Sequence, residues 1–459
     1  STDKGRTWNL YNNGDPVLDI GSNEFRDPKV FWHEDSKAWI MIVSAGDHVS
    51  LFRSTDLKAW THASDFGQGI GSHAAVWECP DLFPLTDSSD GRTRWVMTLS
   101  VGANEETAGS TAQYFIGDFD GSVFFPEDRD TRFTDVGQDF YAAQSFEHVE
   151  GRRVWMAWLG NWNYPYSLPT GDWRGEMSIP RELSLTTVGG KRTLVQKPVP
   201  ELDALRGRAT DLAGLKATDT VTALGTGRTV EIDLTLDISK ASEAWLGLAR
   251  GEVDGKTQEV RVGVDISAGT LYLDRTDGGL TQVDGKDEGT TTDFALRRQT
   301  QYRPTGSTVR LHLYLDRSSL EVFVDDGDDV HVAVLPRLLA LGAHGAQPLL
   351  LVAEGGGLLE VLAVDGGLLV APHHGDLLVE LTQLRRCGHA GNTQAGTGLV
   401  HQVNGLVRQE AVVDVAVGEG GRGLQRVVGD RHAMEGLIAV AQALEDLDGL
   451  GGGRLVHLD

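Results

Sequence analysis

Short apolar and aromatic runs, bounded by turn residues, recur along the first part of the chain. Examples are residues 38–43, 94–101 and 154–159, each flanked by Asp, Ser, Gly or Lys. The order of runs repeats with a period of about 50 residues and shows no helical spacing, which is typical of a β-propeller. A plain β-sandwich would lack so long a period.

Between about residues 195 and 325 the pattern becomes a clean alternation of apolar and polar positions. Three runs show it: Val230, Ile232, Leu234 and Leu236; Val260, Val262, Val264 and Ile266; and Val309, Leu311, Leu313 and Leu315. Strands with one buried and one solvated face predict antiparallel sheets packed as a sandwich. We take residues 202–217 as the linker between the two parts.

The composition changes after Phe323, since all 14 Phe, 11 Trp and 8 Tyr residues lie at or before it. Aromatic residues carry much of ordinary core burial, so a normal core is not expected here. One hypothesis is a reading-frame slip near residues 325–336, and the alternative is an appended domain poor in aromatics. Resequencing the DNA would decide between them. The predicted division is therefore 1–195 partial propeller, 196–335 sandwich and 336–459 tail.

The net charge of the chain, −25 over 459 residues, argues against nucleic acid and anionic membranes as partners. No run of 18 or more apolar residues is present, so we expect no membrane-spanning helix. The two cysteines, Cys79 and Cys387, stand in unlike surroundings, and we expect neither a disulfide framework nor a zinc site.

Two carboxylate motifs stand out, Arg26-Asp27-Pro28 and Trp77-Glu78-Cys79-Pro80. Asp27 and Glu78 are 51 residues apart and each opens a similar stretch of strands, which predicts equivalent positions on successive repeats. Two carboxyl groups that face one pocket are the usual catalytic groups of enzymes that break a glycosidic bond. The structural alternatives are a turn aspartate before proline for Asp27 and a buried strand-end carboxylate for Glu78.

These motifs, with the strings at residues 139–142, 173–183 and 316–323, resemble glycoside hydrolase family 32, which contains invertases, inulinases and levanases. The resemblance covers about the first 325 residues. It implies an all-β fold, a five-bladed β-propeller followed by a β-sandwich. It also implies retaining hydrolysis of β-fructofuranosides such as levan, inulin or sucrose, no metal or organic cofactor, and secretion from the cell.

The resemblance also implies roles for individual residues. Glu78 resembles the general acid/base and Asp27 the transition-state stabiliser, with Arg26 beside it to bind sugar hydroxyls or hold carboxylates. Asp139 resembles a sugar-binding carboxylate on the next blade. Trp162 resembles the aromatic wall of the fructose pocket, although a core role is the alternative in a Trp-rich propeller. We expect Cys79 to be a packing residue and not a nucleophile.

One departure from the family pattern concerns the nucleophile. The family carries it in an Asn-Asp-Pro-Asn-Gly-type segment well before the Arg-Asp-Pro motif. Asn12-Asn13-Gly14-Asp15-Pro16 is similar only superficially and is ordinary turn chemistry. We therefore expect the first blade and its nucleophile to be absent, the chain to be inactive, and its unpaired strand edges to associate. A non-catalytic fructan-binding protein and a fructosyltransferase stay open as alternatives.

Overall fold

A computed structural model describes residues 1–168, 173–207, 209–210, 216–217, 222–304, 306–325, 329–334, 347–354, 359–363, 369–370, 412–415 and 425–428. Part of the linker and most of the tail lie outside these ranges, so the frame-slip hypothesis stays a prediction. Within the same ranges, no helix is long and apolar enough to cross a membrane. The described structure is all-β, as predicted, apart from short helical turns at Tyr11–Gly14 and Pro200–Leu205.

Three antiparallel sheets form the propeller part. The first contains β1 (Phe25–His33), β2 (Ala38–Ala45), β3 (Val49–Ser54) and β4 (Thr61–Phe66) in sequence order. The second contains β5 (Trp77–Thr86), β6 (Thr93–Val101), β7 (Thr111–Phe119) and β8 (Phe124–Pro126), with β9 (Arg132–Phe133) also on β7. The third contains β10 (Tyr141–Ser145), β11 (Arg153–Leu159), β13 (Arg181–Val188) and β14 (Lys191–Pro198), with β12 (Glu176–Met177) on β11.

The aromatic strands of these sheets bury their side chains between neighbouring blades. One core cluster joins the first and second sheets, for example Ile40 and Leu51 with Met97 and Phe115. Every side chain in such a cluster loses water contact, which supplies the main stabilisation of the blade pair. Stacked sheets therefore bring the beginnings of β1, β5 and β10 close together.

The sandwich follows in two sheets. Its strands are β15 (Lys216–Ala217), β16 (Thr222–Gly227), β17 (Val230–Asp237), β18 (Glu243–Val253), β19 (Lys256–Asp265), β20 (Thr270–Asp274), β21 (Gln282–Asp284), β22 (Thr291–Asp293), β23 (Arg297–Gln301), β24 (Thr308–Leu315), β25 (Ser319–Val324), β26 (Asp329–Val334), β27 (Gln347–Glu354), β28 (Leu359–Ala363) and β29 (Leu369–Val370). One sheet has the order β15-β28-β17-β24-β25-β26 with β29 on β17, and the other has the order β16-β27-β18-β19-β20-β23. Strands β21 and β22 form a separate hairpin. The alternating apolar residues predicted on β17, β19 and β24 lie in the sandwich core.

Strand pairing continues past the predicted sandwich boundary at residue 335. Strand β27 pairs with β16 and β18, and β28 pairs with β15 and β17. All of these strands belong to one compact unit, Ser1–Ala371. In a second unit, Pro372–Asp459, β30 (Val412–Val415) pairs with β31 (Gln425–Val428).

The polar face of β17 is covered by charged partners. Glu231 is 8% exposed and accepts hydrogen bonds from Arg206 at 2.6 and 2.8 Å. Nε2 of His312 lies 2.8 Å from the same carboxylate, and the Tyr314 hydroxyl donates to it at 3.1 Å. An arginine, a histidine and a tyrosine on three sides make this carboxylate the centre of a polar cluster between the linker and the sandwich.

Candidate active site

The first strands of the three propeller sheets share one irregularity, a β-bulge close to their beginning. After Arg26, β1 contains one residue more than the facing part of β2. After Glu78, β5 likewise contains one residue more than the facing part of β6. The same holds for β10 against β11 after Tyr141. The residue that follows has a positive φ in each case: 60° at Asp27, 50° at Cys79 and 55° at Ala142. Bulges re-aim side chains and are enriched beside active sites.

The shared bulge corrects the predicted repeat. Arg26 and Glu78, 52 residues apart, occupy equivalent positions, and the counterpart of Asp27 is Cys79. The predicted equivalence of Asp27 and Glu78 was wrong by one residue. Pro28 follows Arg26, and Pro80 follows Glu78, at the same spacing, so aligning the two prolines in the sequence gives the correct correspondence.

Glu78 is the centre of the group that these bulges assemble. Its Oε1 accepts a hydrogen bond from Nε of Arg26 at 3.1 Å, and its Oε2 accepts one from the Tyr141 hydroxyl. The same arginine donates from Nη1 to Glu24. The Glu78 side chain is 21% exposed, so it is held by the protein and still reaches solvent. A carboxylate with this access can exchange a proton with a bound molecule.

Tyr141 was missed in the sequence analysis, although its strand was recognised. It stands at the bulge position of the third sheet, as Arg26 and Glu78 do in the first two, and each of the three follows an aromatic residue. Burial, together with the Glu78 carboxylate, raises its pKa well above the usual value. The phenol therefore stays protonated and acts as a fixed donor to Glu78.

Asp27 lies against the second sheet. Its Oδ2 accepts a hydrogen bond from the backbone N–H of Cys79 at 3.0 Å, and the Cys79 Sγ lies 3.6 Å away. Burial and the neighbouring Asp27 charge raise the pKa of Cys79 to about 12. The thiol is protonated at neutral pH, which argues against a nucleophilic role because the thiolate is the reactive form.

Polar contacts just behind the bulges fix the three strands to one another. Lys29 donates to the carbonyl oxygen of Ser145 at 2.6 Å and lies 3.4 Å from Asp81. Asp81 is fully buried and accepts hydrogen bonds from both the backbone and the hydroxyl of Ser145. Gln144 donates to the carbonyl of Cys79 at 2.9 Å. Satisfied polar contacts of this kind lock side chains into a defined geometry.

An aromatic cluster borders the Glu78 group. The Trp162 ring lies 5.5 Å from that of Trp158 and 6.4 Å from that of Tyr141, both edge-to-face. Trp162 is half-buried, and its indole N–H has no hydrogen-bond partner among the described residues. Nζ of Lys286, between β21 and β22, lies 5.2 Å from the centre of the Trp162 ring. Aromatic faces beside a few polar groups are typical of small-molecule sites.

Asp139 lies away from this group. Its side chain is fully buried and accepts hydrogen bonds from Arg275 at 3.0 Å and from the Tyr164 hydroxyl. Burial and the Asp139 charge raise the pKa of Tyr164 well above its usual value. The structure thus places Asp139 in an internal ion pair, and its contact with a sugar stays a prediction.

Comparison with known proteins bears on the family of the chain. Residues 1–198 match the N-terminal domain of glycosyl hydrolases family 32, and residues 201–334 match its C-terminal domain. A levanase of Bacillus subtilis is 40% identical over 341 residues, covering 72% of this chain and 49% of the levanase. An extracellular exo-inulinase of Aspergillus awamori is 33% identical over 355 residues, covering 72% of this chain and 64% of the inulinase. The chain therefore spans about half to two thirds of the length of these relatives.

Solved structures show the same architecture. The exo-inulinase from Aspergillus awamori superposes with a TM-score of 0.69 at 29% identity, covering 81% of this chain and 73% of that one. A fructofuranosidase from Schwanniomyces occidentalis, complexed with fructose, superposes with a TM-score of 0.68 at 28% identity, covering 79% and 74%.

Proposed function

The chain belongs to glycosyl hydrolase family 32, and on that premise we propose that its site acts on β-D-fructofuranosides. The observation that carries the proposal is the Glu78 carboxylate, held between Arg26 and Tyr141 at the bulges of neighbouring blades. The names of the relatives, levanase and exo-inulinase, support fructans as the substrate class. Sucrose is a further candidate, because invertases are also similar to this chain.

We propose that Glu78 is the general acid/base of a retaining double displacement. It donates a proton to the glycosidic oxygen as the bond to the anomeric carbon breaks, and later takes a proton from the attacking water. The Tyr141 hydroxyl and the Arg26 guanidinium hold its two oxygens in place, so little reorganisation is needed at the moment of transfer. Asp27, fixed by the Cys79 N–H, is proposed to bind fructosyl hydroxyls and favour the positive charge of the transition state.

Trp162 and Trp158 are proposed to form the apolar wall of the fructosyl site. The C–H surface of a sugar packs on aromatic faces, while hydroxyls need donors and acceptors. The position of the aromatic cluster beside Tyr141 supports this arrangement.

Retaining hydrolysis needs a second carboxylate about 5 Å from the acid/base to attack the anomeric carbon. The family resemblance assigns no residue of this sequence to that step, so we predict that the chain alone releases no fructose from sucrose or levan. Azide supplied in solution can take the place of a carboxylate nucleophile. Its nitrogen would bond to the anomeric carbon, the glycosidic bond would break, and Glu78 would protonate the departing oxygen.

The first test is to incubate the chain with sucrose, with and without azide, and to measure the release of glucose. The second is to measure fructose binding by calorimetry. We expect fructose binding and an azide-dependent release of glucose that is lost in Glu78→Gln. Release without azide would overturn the predicted inactivity. Absence of both binding and release would overturn the proposed function. Fructan binding that is unchanged in Glu78→Ala, with no release under any condition, would favour the non-catalytic binding protein.

Secretion is proposed as well, because the Aspergillus relatives are named as extracellular enzymes. Fractionation of the native host would test it, and recovery of the protein only from cell lysate would contradict it.

A further inference from the structure

Three consecutive residues, Asp139, Phe140 and Tyr141, connect the β-sandwich to the candidate acid/base. Tyr141 donates to Glu78, and each of the two residues before it is held by a buried arginine. We propose that the sandwich positions Glu78 through this tripeptide, with Arg275 and Glu321 as its positioning residues. The inference rests on the proposed role of Glu78 as acid/base.

The first arm of this linkage begins in the sandwich. Arg275 follows β20, is 1% exposed, and donates to Asp139 at 3.0 Å and to the Tyr164 hydroxyl at 3.0 Å. Its guanidinium lies 3.8 Å from the centre of the Phe294 ring, which is itself fully buried. A planar donor with this many fixed partners has one orientation available. Asp139 is therefore anchored to the sandwich and not to its own sheet alone.

The second arm of the linkage connects Phe140 to the sandwich through Arg181. Arg181 at the start of β13 is fully buried, and its guanidinium lies 4.2 Å from the centre of the Phe140 ring. It donates to Glu321 on β25 of the sandwich at 2.8 and 3.2 Å. Glu321 also accepts the backbone N–H of Ile179 at 2.7 Å. Phe140 is thus held by a cation whose own position depends on a sandwich carboxylate.

The two arms leave Tyr141 little freedom. Tyr141 pairs with Trp158 on β11, but a bulge follows it and regular pairing resumes only at Gln144. A hydroxyl must lie within a few tenths of an ångström of its place to keep a strong bond to a carboxylate. Anchoring the two preceding residues from the sandwich supplies that constraint.

The test uses the full chain labelled with ¹³Cζ-tyrosine, because the chain contains only 8 tyrosines and the Cζ shift reports the hydrogen bond of the hydroxyl. The Tyr141 signal is assigned by its loss in Tyr141→Phe, and Glu78→Gln shows how it moves when the carboxylate is lost. We expect Arg275→Met and Glu321→Gln to move it in the same direction as Glu78→Gln.

A matched control is Arg250→Met, which removes a contact with the buried Glu259 inside the sandwich. It should leave the Tyr141 signal in place. If Arg275→Met fails to fold, the isosteric Asp139→Asn and the charge-keeping Arg275→Lys give the same readout, with a smaller shift expected for the lysine.

A folded Arg275→Met or Asp139→Asn protein with an unmoved Tyr141 signal would overturn the inference, whatever its loss of thermal stability. Failure of the proposed function would look different. In that case the wild-type chain would bind no fructose and release no glucose with azide, while the Tyr141 shifts would still follow the sandwich substitutions.

Discussion

Replacing Arg181 with methionine should destabilise the protein strongly. The guanidinium is fully buried and its donors reach Glu321, Asp135 and Gln196, with both carboxylates almost fully buried as well. Methionine would fill much of the space but would remove the cation bonded to the buried Glu321 and one bonded to the buried Asp135. Breaking a buried pair in this way costs about 3–5 kcal/mol, because an uncompensated charge stays inside the protein.

A loss of this size is roughly a hundred- to a thousand-fold or more in the folding equilibrium, since about 1.4 kcal/mol corresponds to a factor of ten. Urea unfolding followed by tryptophan fluorescence measures it by linear extrapolation. Adding Glu321→Gln to Arg181→Met should restore part of the loss, because the buried charge that Arg181 bonds through two nitrogens is removed. The two changes should therefore be non-additive.

Arg152→Met is the matched control. Arg152 also pairs with a carboxylate, Glu201, but the two side chains are 27% and 60% exposed. Exposed pairs contribute about 0–1 kcal/mol. If Arg181→Met were as mild as Arg152→Met, or if the double variant lost the sum of the two single losses, the argument from a buried charge network would be refuted.

Three further predictions concern acid stability, the thiol and the aromatic wall. Burial opposes the charge of Glu231, but its cationic neighbours prevail and lower its pKa from 4.5 to about 2. A shift of this size corresponds to roughly 3 kcal/mol in the free energy of unfolding, which is complete above pH 4.5 and lost as the pH falls through 2. In acid titration, Glu231→Gln should therefore lose less stability than wild type over this pH range. Equal losses would contradict this. Asp27→Asn should speed alkylation of Cys79 at pH 8, measured by peptide mass spectrometry, because a neighbouring charge that raises the thiol pKa is removed; an unchanged rate would argue against that contact. Gly160→Ala would place a Cβ 2.2 Å from the Trp158 ring, so calorimetry should show several-fold weaker fructose binding, and an unaltered affinity would remove Trp158 from the proposed wall.

The fold could be predicted largely from the sequence, because period and alternation are local signals. The long repeat indicated propeller sheets, and the period-two runs marked the sandwich strands that the structure places in its core. The extent of the sandwich could not be predicted in the same way. Strand β27 lies in a region without aromatics, and its place is set by pairing with strands more than 90 residues earlier in the chain.

The site was predicted in part. The two carboxylate motifs and the family resemblance singled out Arg26 and Glu78, and the structure joins their side chains by a hydrogen bond of 3.1 Å. The role of Tyr141 was missed because the bulge that brings its hydroxyl to Glu78 cannot be read from the motif at residues 139–142. The family resemblance gave Asp139 as a sugar-binding carboxylate, but its ion pair with Arg275 could not be predicted, because that partner is 136 residues away in the sequence.

The repeated bulge has a consequence for how this scaffold can change. One backbone frame, used three times, presents an arginine, a glutamate and a tyrosine at the same point of successive blades. A repeated unit of this kind can acquire different chemistry by exchange of a single residue while its main chain stays as it is. The shortest mutational route to a new reaction on this scaffold therefore runs through those three positions, and the remainder of each blade can diverge around them.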